Sequence, residues 1–245
     1  MRDIVVYGLG QLGQLFGSAA LRAGLRVTPI TRSVDPQTVL TSVPAETPVI
    51  VAVGEDALAG VLAQLGARPV ILLQNELFPA AWQGHPTTPT VMVPWLLKKQ
   101  SAPLTVPRPT QVFGAQAELV GALHAALSIA CEPLPNEAAL HQALVDKYAF
   151  IVTINALGLL RDRTLAVWLA EDPLRVRALA EEAATLGERL CAASIDRERS
   201  VQAVLEGMRG LGSMSARGRT ARSRIDRAWN HAERLGVSVP ELRAI

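Results

Sequence analysis

The stretch "VVYGLGQLGQLFGSAALRAG", from Val5 to Gly24, constrains this chain most. An apolar run that reads as a buried strand passes at once into Gly8, Gly10 and Gly13, and these open an apolar helical segment closed by Gly24. Each glycine in such a turn has its own task. The first allows the tight turn, the second lets a pyrophosphate approach the backbone, and the third lets helix and strand pack closely. The backbone of Gly8, Leu9, Gly10, Gln11, Leu12 and Gly13 is therefore the expected cofactor-binding turn, with the phosphates at the helix N-terminus. At the end of the second strand, "VTPITRS", an acid would bind the ribose 2′-hydroxyl of NAD; Arg32 and Ser33 stand there instead. An arginine at that place accommodates a 2′-phosphate, so the expected cofactor is NADP(H).

The rhythm of the chain changes along its length. "IVVYG", "RVTPIT", "PVIVAVG", "PVILLQN" and "TVMVPW" read as buried strands, several of them nearly continuous in apolar residues as a parallel sheet requires. "SVDPQTVLTSVPAETP" reads as two turn regions joining the second strand to the third. After "CEPLPNEAAL" the strands stop, Asn136 reads as a helix N-cap, and periodic helices follow to the end. The expected fold is α/β: an N-terminal Rossmann-type dinucleotide-binding domain over 1–135 and an all-helical domain over 136–245 for substrate binding and dimerisation.

Composition excludes several classes. The first residues lack the long apolar core of a signal peptide, so a cytoplasmic protein without membrane attachment is expected. Cys131 and Cys191 are far apart, the four histidines are scattered, and no metal is expected. Six arginines between Met208 and Arg227, Arg219 among them, face a single acid, Asp226. They read as a solvated helix face or as an attraction for an anionic small-molecule ligand. With aromatics at 4% and no recognition motif, nucleic acid is not an expected partner.

Taken together, "IVVYGLGQLGQLFG", the arginine after the second strand, the asparagine in "ILLQNEL", "DKYAFIVTINALGLL" and "GSMSARGRTARSRIDRAWNHAERLGVSVPE" resemble ketopantoate reductase over nearly the whole chain. The resemblance implies NADPH-dependent reduction of a 2-oxo acid, with the substrate between a Rossmann domain and a helical domain. It places Lys147 as the catalytic proton donor and Asn75 at the cofactor and substrate junction. Asn155 and Ser213 fall at substrate-binding positions, Ser213 on the substrate carboxylate. Three positions depart from the family pattern: Gly54 replaces a lysine, Ile151 an asparagine, and Arg224 the acid that partners the lysine and the substrate hydroxyl. The chain also ends early relative to the family. These changes remove partners for hydroxyls and add positive charge, so the expected substrate is an oxo acid other than ketopantoate, with Arg224 lining its site. The other class left open is a non-catalytic NADP-binding sensor or scaffold. Apolar surface left open on the helical half points to a homodimer.

Overall fold

The computed structural model describes residues 2–96, 104–218 and 220–245. Its chain divides into two compact units, one running to Leu140 and the other beginning at His141.

The first unit is a seven-stranded sheet of order β2-β1-β3-β4-β5-β6-β7, built from β1 (Asp3–Tyr7), β2 (Arg26–Ile30), β3 (Val49–Val51), β4 (Val70–Leu72), β5 (Thr90–Val93), β6 (Thr110–Phe113) and β7 (Cys131–Pro133). The strands β1 to β5 pair in parallel; β6 turns antiparallel to β5, and β7 runs parallel to β6. Ile4, Val5 and Val6 of β1 and all of β3 and β4 are buried, as a sheet covered on both faces demands. The helix α1 (Gln11–Arg22) lays Phe16, Ala19 and Ala20 into a core with Ile4, Ile50 and Ile71. Burying a side chain the size of Phe16 contributes about 1.5–3 kcal/mol. At its far end Gly24 takes φ +77°, the left-handed conformation that glycine adopts without strain.

Two features differ from the sequence reading. The segment between β2 and β3, expected as turns, contains α2 (Pro36–Ser42). Asp35 caps it, its carboxylate accepting from the Thr38 amide and hydroxyl at 2.9 and 2.7 Å, and Pro36 opens its first turn. Further on, α3 (Leu58–Leu65) precedes β4 and α4 (Ala117–Ala125) lies between β6 and β7. The last two strands also escaped the pattern. β6 alternates buried and half-buried residues, while β7 is largely exposed and pairs only with β6, so neither carries the continuous apolar signal of the central strands.

The second unit is helical: α5 (Glu137–Leu160), α6 (Leu165–Glu171), α7 (Pro173–Cys191), α8 (Arg197–Gly210), α9 (Ala221–Leu235) and α10 (Pro240–Arg243). Asn136 caps α5 through the Ala139 amide at 2.9 Å, as its sequence suggests. α5 is long and apolar enough to cross a membrane, yet 89% of its most apolar stretch is buried inside the fold, as in a core helix. α7 passes close to it, with no room beyond Gly187 because Val145 and Tyr148 of α5 fill the space. The end of the chain is clamped to α7, where the Glu182 carboxylate accepts the Glu241 and Leu242 amides at 2.8 and 2.9 Å.

A buried histidine makes the first unit sensitive to acid. His124 of α4 is fully buried, its Nδ1 bonded to the Val120 carbonyl at 2.8 Å and its ring 5.3 Å from that of Phe16. Among the described residues Nε2 has no hydrogen-bond partner, and burial lowers the pKa below the ordinary 6.5. The unfolded chain therefore takes up this proton first, and the contribution is complete above pH 6.5 and lost as pH falls below it. His124→Leu should lose less stability than the unsubstituted protein between pH 7.5 and pH 5. Thermal denaturation across that range, giving parallel profiles for the two proteins, would refute the role.

Candidate functional site

All five parallel strands end on one edge of the sheet, and β1 is the strand from which the chain goes first to β2 on one side and then to β3 on the other. In open α/β sheets such a switch point is where ligands sit, outside the carboxyl ends of the strands. The glycine turn occupies it. Gly8 takes φ +93°, and a Cβ on it would lie 2.7 Å from the Ala52 carbonyl oxygen of the strand-end beside it. A Cβ on Gly13 would lie 1.8 Å from the Gly8 carbonyl oxygen, so only glycine lets α1 start so close to β1. Gly10 meets nothing within 4 Å. The turn thus presents a bare backbone, Leu9 partly exposed and Gln11 exposed beside it, Leu12 half-buried, and the unpaired first-turn amides of α1 facing outward. This cradle fits a pyrophosphate: backbone approaches it without a side chain in the way, and the helix dipole favours its charge.

At the end of β2, Arg32 is exposed, and Thr31 and Ser33 hydroxyls close the turn around it at 3.0 Å. The nearest acid that follows, Asp35, is committed to capping α2. At the end of β4, Gln74 is buried and donates to the Val51 carbonyl at 2.7 Å, tying the ends of β3 and β4 together. The half-buried Asn75 follows it on the same edge. Gly54, in the corresponding place after β3, has open space around it.

The second unit carries the ionisable residues. Lys147 lies in the middle of α5 and is only 5% exposed, with its ammonium 5.7 Å from the ring centre of Phe150. Its neighbour Asp146 points elsewhere: one carboxylate oxygen accepts from Gln142 and Ser200, each at 2.7 Å, and the other lies 3.7 Å from Arg199. Lys147 is therefore not at the solvent edge of its helix. Burial, and then the positive charge of Arg224, push the Lys147 pKa down to about 7.

Ile151 and Asn155 continue the Lys147 stripe at spacings of four residues, and Gly158 returns to it about three turns on. A Cβ on Gly158 would lie 2.5 Å from the Arg217 Cα, and one on Gly218 would lie 2.5 Å from the Asn155 Oδ1. The segment leading into α9 therefore runs backbone-first along this side of α5. α9 then brings in Arg224, half-buried, with its Nε donating to the Thr220 hydroxyl at 2.9 Å. Asn155 gives its amide to the Ile151 carbonyl at 2.6 Å, while its Oδ1 has no partner among the described residues. Lys147, Asn155 and Arg224 are thus gathered. Ser213 is not among them; it sits on an exposed turn whose neighbours Gly212 and Met214 accept the Ala166 and Leu165 amides.

Of the other arginines in this region, Arg222 pairs with Asp226 at 3.0 Å and stacks 4.8 Å over Trp229, an ordinary solvated helix face. Arg219 lies outside the described residues. Gly158 and Gly218 were not singled out by the sequence reading. A glycine inside the apolar helix "NALGLL" costs about 1 kcal/mol against alanine, and that cost was the available sign of a close backbone approach.

No family model matches the sequence, and no curated protein matches it either. Solved structures do match, and over the full chain. A PanE/ApbA family ketopantoate reductase from Ralstonia eutropha shares 16% identity at TM-score 0.70, covering 99% of this chain and 95% of its own. The fold is that of the ketopantoate reductases. Dimeric ketopantoate reductase from Staphylococcus aureus matches at 15% identity and TM-score 0.64, with 99% and 97% covered. D-mandelate dehydrogenase in complex with NADH matches at 14% identity and TM-score 0.71, with 99% and 96% covered.

Holding Lys147 inside the fold opposes stability. With its pKa near 7 against 10.5 in an unfolded chain, the unfolded state binds more protons across that interval. The cost grows as pH falls from 10.5 and is complete below about 7. Lys147→Met, close in length and uncharged, should raise the thermal midpoint, by more at pH 6.5 than at pH 10. The gain at the lower pH is on the order of several kcal/mol. A midpoint that does not move at pH 6.5 would show that the ammonium is not held at a cost.

Proposed function

We propose that the protein is an NADP(H)-dependent oxidoreductase of the ketopantoate reductase family, reducing the carbonyl of a small 2-oxo acid other than ketopantoate. The observation that carries this reading is the buried Lys147 with its pKa near 7, on a chain whose other unit ends its sheet in a pyrophosphate cradle. A lysine kept only to bind would gain nothing from being half-deprotonated at neutral pH. A proton donor does, because transfer is efficient when the donor's pKa lies near the working pH.

In this reading the backbone from Gly8 to Gly13 and the first turn of α1 hold the pyrophosphate, and Arg32 holds the 2′-phosphate. Asn75 orients the reacting end. When bound, the nicotinamide supplies the hydride. Lys147 holds its proton on Nζ against the substrate's ketone oxygen and releases it as that oxygen gains electron density. Burial keeps water from competing for the same proton. Asn155 positions the substrate, and Ser213, on its exposed turn away from this group, has no part in the reading. Gly54, Ile151 and Arg224 stand where the family carries hydroxyl-binding and acidic groups, which supports a substrate without the ketopantoate hydroxyl. The assembly is read as a homodimer, supported by the dimeric S. aureus protein of the same fold.

The decisive experiment measures NADPH oxidation over a panel of 2-oxo acids, with cofactor binding measured separately. Lys147→Met should keep its affinity for NADPH and lose about a hundredfold or more in turnover. Binding without turnover on any acid would replace this reading with a cofactor-binding sensor. In the same preparations NADPH should bind about 2 kcal/mol more tightly than NADH, a charge-assisted contact's worth, and Arg32→Ala should remove most of that difference. Equal affinities in the unsubstituted protein would overturn the assignment of Arg32.

A further inference from the structure

Next to Lys147 in sequence lies a buried polar group that α5 shares with α8. Asp146 is 1% exposed, and one of its oxygens accepts from the Ser200 hydroxyl and the Gln142 amide, each at 2.7 Å. Gln142, one turn back along α5 and also buried, donates to the Asp196 carbonyl at 3.1 Å and accepts the Asp196 amide at 2.9 Å. Asp196 is the N-cap of α8, and Ser200 follows one turn later. Two residues on successive turns of α5 therefore grip the start of α8. Arg199, in that same first turn, lies 3.7 Å from the second Asp146 oxygen. Taking a carboxylate out of water is costly, and an apolar pair of the same volume would fasten two helices at less cost. What hydrogen bonds add is direction, because they weaken steeply when donor and acceptor turn away from each other.

We propose that Asp146 and Gln142 are positioning residues for Lys147: by gripping the first turn of α8 they fix the rotation of α5 about its axis, and so the place of the lysine's ammonium. The use of that placement in proton transfer rests on the reading of Lys147 as the donor. Successive residues of an α-helix project about 100° apart, so a helix held at 146 is held at 147 as well. At a side-chain radius of about 5–6 Å, a rotation of about 10° carries a group sideways by about 1 Å. A displacement of that size in a reacting group can cost about a hundredfold in rate. Apolar side chains such as Phe150, whose ring centre is 5.7 Å from the ammonium, keep water out but set no angle. The grip on α8 sets it, from residues that take no part in the chemistry.

The readout is the titration of Lys147, followed by NMR of protein carrying 13C-labelled lysine. The chain has three lysines, and the signal absent from Lys147→Met belongs to residue 147. Asp146→Asn keeps an oxygen to accept from Ser200 and Gln142 and removes the charge, so the midpoint should stay at about 7. Ser200→Ala removes a donor from α8 and alters nothing on α5; by loosening the grip it should admit water to the ammonium and raise the midpoint. Asp146→Leu should raise it by about one pH unit or more, toward that of a solvated lysine. A midpoint that falls in Asp146→Asn would show the carboxylate acting through its charge, and one unmoved in both other variants would show a mere fastening; either overturns the proposal. Should Asp146→Leu fail to fold, Ser200→Ala decides alone. With an acid that the protein reduces, turnover should fall in the order in which the midpoints rise, with KM little changed. Midpoints that move as expected in a protein that reduces no acid uphold the placement and remove the reductase reading alone. Unmoved midpoints in an active enzyme do the reverse.

Discussion

The Gly8 carbonyl oxygen lies where a methyl group on residue 13 would have to be, and the sheet-bearing half of the molecule depends on that intimacy. Because Gly13 has no side chain, α1 can begin almost in contact with the end of β1. Phe16, Ala19 and Ala20 then fall onto the sheet above Ile4, Ile50 and Ile71 instead of a turn's distance away. The same closeness sets the chemistry. A helix that starts at the strand's end points its unpaired amides into the switch point between β2 and β3, and Gly10 leaves that space open. Packing and the open cradle at the start of α1 are therefore one constraint seen from two sides, and a side chain at position 13 would disturb both.

How much of this could be read from the residues depends on how local each requirement is. The glycine turn was fully legible because each of its three demands concerns a residue and its immediate neighbours. Strands β1 to β5 were legible because burial on both faces writes a continuous apolar run. β6 and β7 were not, since β6 is only half covered and β7, with Cys131, Glu132 and Pro133, is held by its pairing to β6 and not by its own side chains. The helix α2 was hidden among turn-forming residues. Asp35 and Pro36 signal a turn and a helix start equally well, and only the hydrogen bonds to Thr38 decide between them.

In the helical unit the same distinction separates Lys147 from its surroundings. An apolar stretch on both sides of the lysine foretold its desolvation, and burial is the main cause of its lowered pKa. Which charges face it was not foretold by the stretch. Asp146 is adjacent in sequence and turned to Gln142 and Ser200, whereas Arg224 is far along the chain and close enough to act. Two more missing side chains shape how the segment before α9 approaches α5. Gly158 lets the backbone of Ala216 and Arg217 lie against α5, where a residue with a Cβ would move that segment, and Gly218 leaves room for the end of the Asn155 side chain.

A fold selected only for stability would not keep this arrangement. It places a lysine in an apolar helix, sets a second cation against it, and leaves an amide oxygen of Asn155 without a hydrogen bond among the described residues. Each of these opposes folding, since buried charge and unpaired polar atoms are costly and like charges repel. Two carboxylates of the same unit are well supplied with donors: one Asp146 oxygen accepts from Gln142 and Ser200, and the half-buried Glu182 accepts from two backbone amides. The unit can thus surround a carboxylate with donors, yet it sets an arginine near enough to the lysine to lower its pKa. Strongly shifted ionisable groups cluster at functional sites, and the side of α5 that carries Lys147 is where such a shift and a close backbone approach coincide.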